Sequence, residues 1–191
     1  MDTRCGQKNR AGFTLVEIAI VLVIIGLLIG GVLKGQAMVE NAKVKRVVKQ
    51  ADELRAAVMT FYDKYGYYPG DENNDPIPPG VDWEGDGDGQ VENNQERFEV
   101  FRDLQLSGLI GGNYNGTSDL PRNPYNGTVG LYWLDPGPGN AKHYFSFANL
   151  PAEACQEIDT KYDDGIFNTG SIAASADYTV GTTIANFYML F

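Results

Sequence analysis

The apolar positions of this chain fall into three regimes. From Ile18 to Leu33 nearly every residue is apolar, twelve of them Ile, Val or Leu, broken only by glycine and alanine. Further on, the apolar residues thin to Val44, Val47, Val48, Ala51, Leu54, Val58, Phe61 and Tyr65, at spacings of three, one, three, three, four, three and four. That period marks one face of an amphipathic helix. No stop signal separates the two regimes, so a single helix over 13–64 is predicted, about 78 Å long at 1.5 Å per residue. Beyond Tyr65 the pattern dissolves into turns and short apolar runs.

The first regime is long enough for a bilayer. Phe13 to Leu33 would rise about 31 Å as a helix, close to the roughly 30 Å of membrane hydrocarbon. Its aliphatic residues contribute about −5 kcal/mol to insertion, against roughly 3 kcal/mol for Glu17 if that acid lay at mid-bilayer. Insertion wins, and an acid carried into a membrane is by default a functional residue. Gly26 and Gly30, and Gly31 and Gly35, are each four apart and permit close helix approach.

The helix should stop at Gly66 and Pro69-Gly70 in "FYDKYGYYPGD". A loop rich in Asp, Asn, Pro and Gly follows from Asp71 to Asn94. In "QERFEVFRDLQLSGLIGG" Phe98, Phe101 and Leu104 share a helical face, with Gly111-Gly112 as the predicted end. "GLYWL", "HYFSF", "DYTV" and "IANFYMLF" read as strands of a small antiparallel sheet. Between them "LPAEACQEIDTKYDDG" spaces Ala152, Cys155, Ile158 and Tyr162 as a helix, with Pro151 in its first turn and Gly165 as its stop. The fold class is therefore α+β: a long N-terminal helix, half transmembrane and half amphipathic, packed on a small antiparallel sheet head. The predicted divisions are a short basic segment at 1–12, a transmembrane helix at 13–33, a stem helix at 34–64 and a globular head at 65–191; the resemblance described below makes the first a leader and the second a filament core.

Charge sharpens this division. The net charge is −10, but residues 34–64 carry seven basic and four acidic side chains, whereas from Tyr65 onward there are five basic and nineteen acidic. Such a head repels phosphate backbones, so nucleic acid is excluded as a partner and divalent cations are better company. The two cysteines, Cys5 and Cys155, flank the apolar run. Loss of the leader would leave Cys155 without an intramolecular disulfide partner. Its helical spacing reads as a buried thiol, with an intersubunit bridge or a reactive thiol as the alternatives. Asn115-Gly-Thr117 and Asn126-Gly-Thr128 match glycosylation sequons but read equally as turns. One histidine, His143, and no nucleophile-base spacing leave an enzyme reading with little support.

The densest candidate chemistry is "DWEGDGDGQVEN", with Asp82, Glu84, Asp86, Asp88 and Glu92 interleaved with glycine. Alternating acids and glycines let a short loop wrap several oxygens around calcium. Aligned as an EF-hand, Glu84, Asp86 and Asp88 take the first, third and fifth places, but the twelfth falls on Gln95, so the match is partial. A solvated acidic turn is the competing reading. Asp163-Asp164 is a second acidic pair that a helix end would explain.

The junction "RAG/FTLVEIAIVLVIIG" resembles the prepilin signal of type IV pilins and type II secretion pseudopilins. An ordinary secretory signal places its cleavage site after the apolar run, and here the order is inverted. The resemblance implies that a prepilin peptidase cuts between Gly12 and Phe13 and methylates Phe13. It also implies that Glu17 pairs with the new terminal amine of a neighbouring subunit. Two opposite charges about 4 Å apart attract by several kcal/mol at an effective dielectric near 20, compensation that a lone buried carboxylate lacks. The partners implied are the peptidase, sister subunits and an inner-membrane assembly platform. The implied location is the bacterial inner membrane, crossed once with the N-terminus cytoplasmic and the head periplasmic, and thereafter a filament. Lysines and arginines between Lys34 and Lys49 would by their count put the other end inside, and here the leader overrides them. The Tyr-Pro junction at Tyr68-Pro69 and "LPRNPYNGTVGLYWL" resemble pseudopilins, though Asn123 stands where an acid is usual and no helix-breaking proline interrupts the apolar run. A bound calcium fits the same family, although there the site lies in a more C-terminal loop. The readings that follow are a type II secretion-like pseudopilin, a major or minor type IV pilin, and a membrane-tethered binding module.

Overall fold

The structure, a computed structural model, describes residues 13–74, 78–80, 83–92, 94–136 and 141–191. The chain divides into two units, Met1–Asn41 and Ala42–Phe191. Helix α1 (Leu15–Tyr65) runs through the boundary. In the first unit it exposes Leu15, Val16, Ile18, Ile20 to Ile25 and Leu27 to Ile29, and it is long and apolar enough to cross a membrane.

In the second unit the predicted stripe of α1 becomes core. Val44, Val47, Ala51, Leu54, Val58 and Phe61 are buried, with Ala57, while Val48 and Tyr65 pack half-buried against the same cluster. Gly66, at φ 84°, ends the helix by donating its N–H to the Tyr62 carbonyl. Helix α2 (Asn94–Leu106) follows the acidic loop. It stops before the Gly111-Gly112 predicted from sequence. Gly108 takes the left-handed conformation at φ 74°, and Leu109 and Ile110 both donate to the Leu104 carbonyl, a glycine-type cap that closes the helix one turn early.

The remaining strands form one antiparallel sheet: β1 (Val129–Leu134), β2 (Lys142–Pro151), β3 (Ile172–Ala174) and β4 (Thr183–Leu190), in the order β1-β2-β4-β3. Helix α3 (Ala152–Tyr162) leaves β2 directly at Pro151. Registers place Leu131, Phe145, Met189 and Ile172 in one row across the sheet and Val129, Phe147, Phe187 and Ala174 in the next. These two rows are the sheet's buried face. The α-plus-β class and the helix-on-sheet packing are as predicted.

"DYTV" is not a strand. Tyr178 and Thr179 turn their N–H groups back onto Asp177, and Tyr178 Oη donates to Asp159 Oδ2 at 2.6 Å. The strand paired with β4 at that edge is β3, three residues long and too short for alternation to reveal it. Cys155 is buried on the inner face of α3, and burial raises its thiol pKa, which suits a packing role. Both sequons lie in turns: Asn115 Oδ1 accepts the N–H groups of Thr117 and Ser118, and Asn126 sits at φ 65°.

Candidate functional site

At the start of α1, Thr14 and Glu17 form a reciprocal cap. Glu17 Oε2 accepts the Thr14 N–H and hydroxyl, each at 2.8 Å, and the Glu17 N–H donates to Thr14 Oγ1 at 3.3 Å. This is a capping box, and it satisfies donors that a helix N-terminus leaves unpaired. The T-x-x-E spacing that encodes it is plain in "FTLVE" and was the missed signal at this end of the chain. Phe13 is 84% exposed. Gly12, and the leader residue Cys5 before it, lie outside the described residues. Along the same unit Gly26, Gly30, Gly31 and Gly35 face open space, so each is a notch into which another helix could settle.

The second site is the acidic region of the second unit. The predicted calcium set does not converge as a set. Asp82 lies outside the described residues; Glu84, Asp88 and Glu92 are exposed. Asp88 spends its carboxylate on Gln90, accepting the backbone N–H at 2.8 Å and the side-chain amide at 3.1 Å. Gln95, at the twelfth EF-hand place, donates to the Gly116 carbonyl at 2.9 Å. Of the described set only Asp86 joins a group of converging carboxylates, and its companions come from elsewhere: the carboxylates of Asp71, Asp86 and Glu96 lie within 4.8 Å of one another.

Those companions belong to a buried acidic layer that no sequence pattern announced. Asp71 and Glu72 follow the Pro69-Gly70 stop, and Glu96, Glu99 and Asp103 sit at spacings of three and four on the inward face of α2; all five are buried. Gly70, at φ 83°, lets the chain pass directly against α2, since a Cβ there would collide with the Glu96 carbonyl. Its N–H is shared by Asp103 Oδ2 at 2.5 Å and Glu72 Oε2 at 3.1 Å. Burial, then the neighbouring Glu72 charge, holds the Asp103 carboxyl well above the usual range. Asp71 is pushed up to about 6, chiefly by burial.

A second group, Asp159, Asp163 and Asp164, also brings its carboxylates within 4.8 Å. Here the oxygens are in use. Asp163 Oδ2 accepts from Ser171 and Ile172 N–H, Asp164 accepts from Ile166 N–H and the Thr169 hydroxyl, and Asp159 accepts from Gly165 N–H and Tyr178 Oη. The group closes the loop after α3, the helix-end role foreseen for Asp163-Asp164.

With this geometry in hand, the comparisons fall on the N-terminal segment. Residues 7–33 match the family model described as the prokaryotic N-terminal methylation motif. The match is confined to the N-terminal segment, which thus bears the methylation motif that the resemblance to prepilin signals implied. The motif implies processing by a prepilin peptidase and assembly with other pilin subunits. The major type IV pilin PilA1 from Clostridium difficile is similar in structure at a TM-score of 0.39 and 14% identity, over 79% of this chain and 95% of that one. No curated protein matches the chain.

Proposed function

We propose that this pilin-like subunit is a pseudopilin of a type II secretion-like system. Peptidase cuts between Gly12 and Phe13, Phe13 is methylated, and the mature chain leaves the inner membrane for a filament held together through the apolar part of α1. The observation that supports this reading is the pairing of the methylation motif with a helix long and apolar enough to cross a membrane, whose large apolar side chains in the first unit are exposed among the described residues. Large contiguous apolar surface that the fold leaves uncovered marks a lipid or protein interface. Glu17 then exchanges its capping role for a charge pair with the neighbouring subunit's terminal amine. Two features support the secretion branch: the Tyr68-Pro69-Gly70 junction, and a head whose described cysteine, Cys155, is free and buried.

The test is the intact mass and N-terminal sequence of protein from its native cells. A chain beginning at methylated Phe13 is expected, and an intact Met1 would refute the processing step. Filaments that form with a secretion ATPase and outer-membrane secretin, and need no retraction ATPase, would support the secretion assignment. Retraction-dependent surface fibres would make the chain a type IV pilin instead.

A further inference from the structure

The buried acidic layer has one corner that the protein's own donors leave incomplete. Asp71 is 1% exposed. Its Oδ2 accepts the Gly89 N–H at 2.9 Å, but its Oδ1 is buried and accepts no hydrogen bond. That side chain lies in the group where Asp86 and Glu96 also present oxygens within 4.8 Å. Among the described residues no lysine or arginine pairs with Asp71 or Asp86. Burying the Asp71 carboxylate beside other acids without a counter-charge of its own is costly, because desolvation and repulsion act in the same direction.

The surroundings are built rather than incidental. Gly85 donates to the Glu72 carbonyl at 2.6 Å, Asn73 Nδ2 donates to the Asp86 carbonyl at 3.1 Å, and Glu92 N–H donates to Glu96 Oε2 at 2.9 Å. A Cβ on Gly85 would strike the backbone of Asp71. These contacts hold the segment after α1, the acidic loop and the first turn of α2 against one another before any ligand arrives. The donors are carboxylate oxygens, with no histidine or cysteine in the group, which selects a hard cation over zinc or copper. Asp86 is exposed and gives the ion a path in and room to keep waters. Calcium suits the group better than magnesium, since it tolerates irregular carboxylate geometry and sheds water more readily.

We propose that Asp71, Asp86 and Glu96 hold a calcium ion that clasps the acidic loop to the end of α1 and the start of α2. This differs from the EF-hand register: the ion draws one ligand from the glycine-rich loop and two from outside it. It also holds whether or not the chain polymerises.

The full chain in detergent, stripped with chelator and dialysed, is titrated calorimetrically with calcium chloride, and separately with magnesium and manganese chloride. Its melting is followed by circular dichroism. A single saturable calcium event and a rise in melting temperature of several degrees at about 2 mM are expected. Asp86→Asn changes an exposed side chain and should keep the fold while weakening calcium at least tenfold. Asp71→Asn should abolish binding, and its unliganded spectrum reports whether it folds. Glu84→Gln with Glu92→Gln, and Asp163→Asn with Asp164→Asn, should bind as the parent does. Absence of heat and melting shift with all three ions up to about 5 mM overturns the proposal, as does unchanged affinity in Asp86→Asn. Loss of binding in either double variant would assign the ion to the glycine-rich register or to the loop after α3, and would equally overturn it.

Discussion

His143 offers a prediction whose size follows from its surroundings. It is 5% exposed, with ring centroids 4.4 Å from Tyr68 and 4.9 Å from Trp133, and its Nε2 accepts the Val91 N–H at 3.2 Å. Burial lowers its pKa from 6.5 to about 4, and protonation would remove the acceptor that Val91 uses. The folded value lies below the unfolded one, so the unfolded chain binds this proton first on acidification. The stability contributed by the neutral ring is complete above about pH 6.5 and is lost as pH falls from there toward 4. Between pH 7.5 and 4.5 the loss is about 2.5 kcal/mol, because each tenfold difference in proton affinity between the folded and unfolded chains is worth about 1.36 kcal/mol. Asp71 and Asp103, whose pKa values are raised, work in the opposite direction over part of this range, so the effect must be read as a difference. His143→Gln keeps a neutral acceptor and removes the titration. Denaturant unfolding of both chains in detergent at the two pH values should show the parent losing about 2.5 kcal/mol more than the variant. Because the chain has one histidine, its imidazole NMR signals give an unambiguous pKa. Parallel stability profiles, or a measured pKa near 6.5, would refute the argument.

Other substitutions probe the remaining claims. Glu17→Ala should leave membrane insertion intact, as seen by carbonate extraction, and sharply reduce incorporation into sheared filaments; normal filament yield would count against the charge pair. Phe147→Ala opens a void in the fully buried row between Val129 and Phe187 and should cost about 3–5 kcal/mol in denaturant unfolding. Gly66→Ala and Gly70→Ala both place a Cβ at positive φ, but only the second meets the α2 backbone. Their melting temperatures should therefore separate, with Gly66→Ala costing about 1 kcal/mol and Gly70→Ala clearly more. Tyr178→Phe removes the 2.6 Å bond to Asp159 and should cost about 1.5–3 kcal/mol by the same measurement, without altering calcium affinity.

What the chain's order alone determined was whatever depends on neighbours a few residues apart. A sustained apolar run, a three-and-four stripe and a basic leader before a glycine are local patterns. From them came the membrane-length helix, the buried face from Val44 to Phe61 and helix α3, together with the proposal that the chain is cut between Gly12 and Phe13 and assembles through Glu17. The Thr14-Glu17 cap was local too, and its spacing was available to read. Tertiary structure decided what no short window contains. β3 has three residues and exists only because β4 offers it an edge. Tyr178, though strand-like by composition, is claimed by Asp159. The acids of "DWEGDGDGQVEN" look like one ligand set because they are adjacent, yet a strand-like or looped backbone points adjacent side chains apart. Asp71, Asp86 and Glu96 meet because Gly70 and Gly85 let three backbone segments approach more closely than any side chain would allow. Close approach across long sequence separation is a property of packing, and packing is settled only when the whole head has folded.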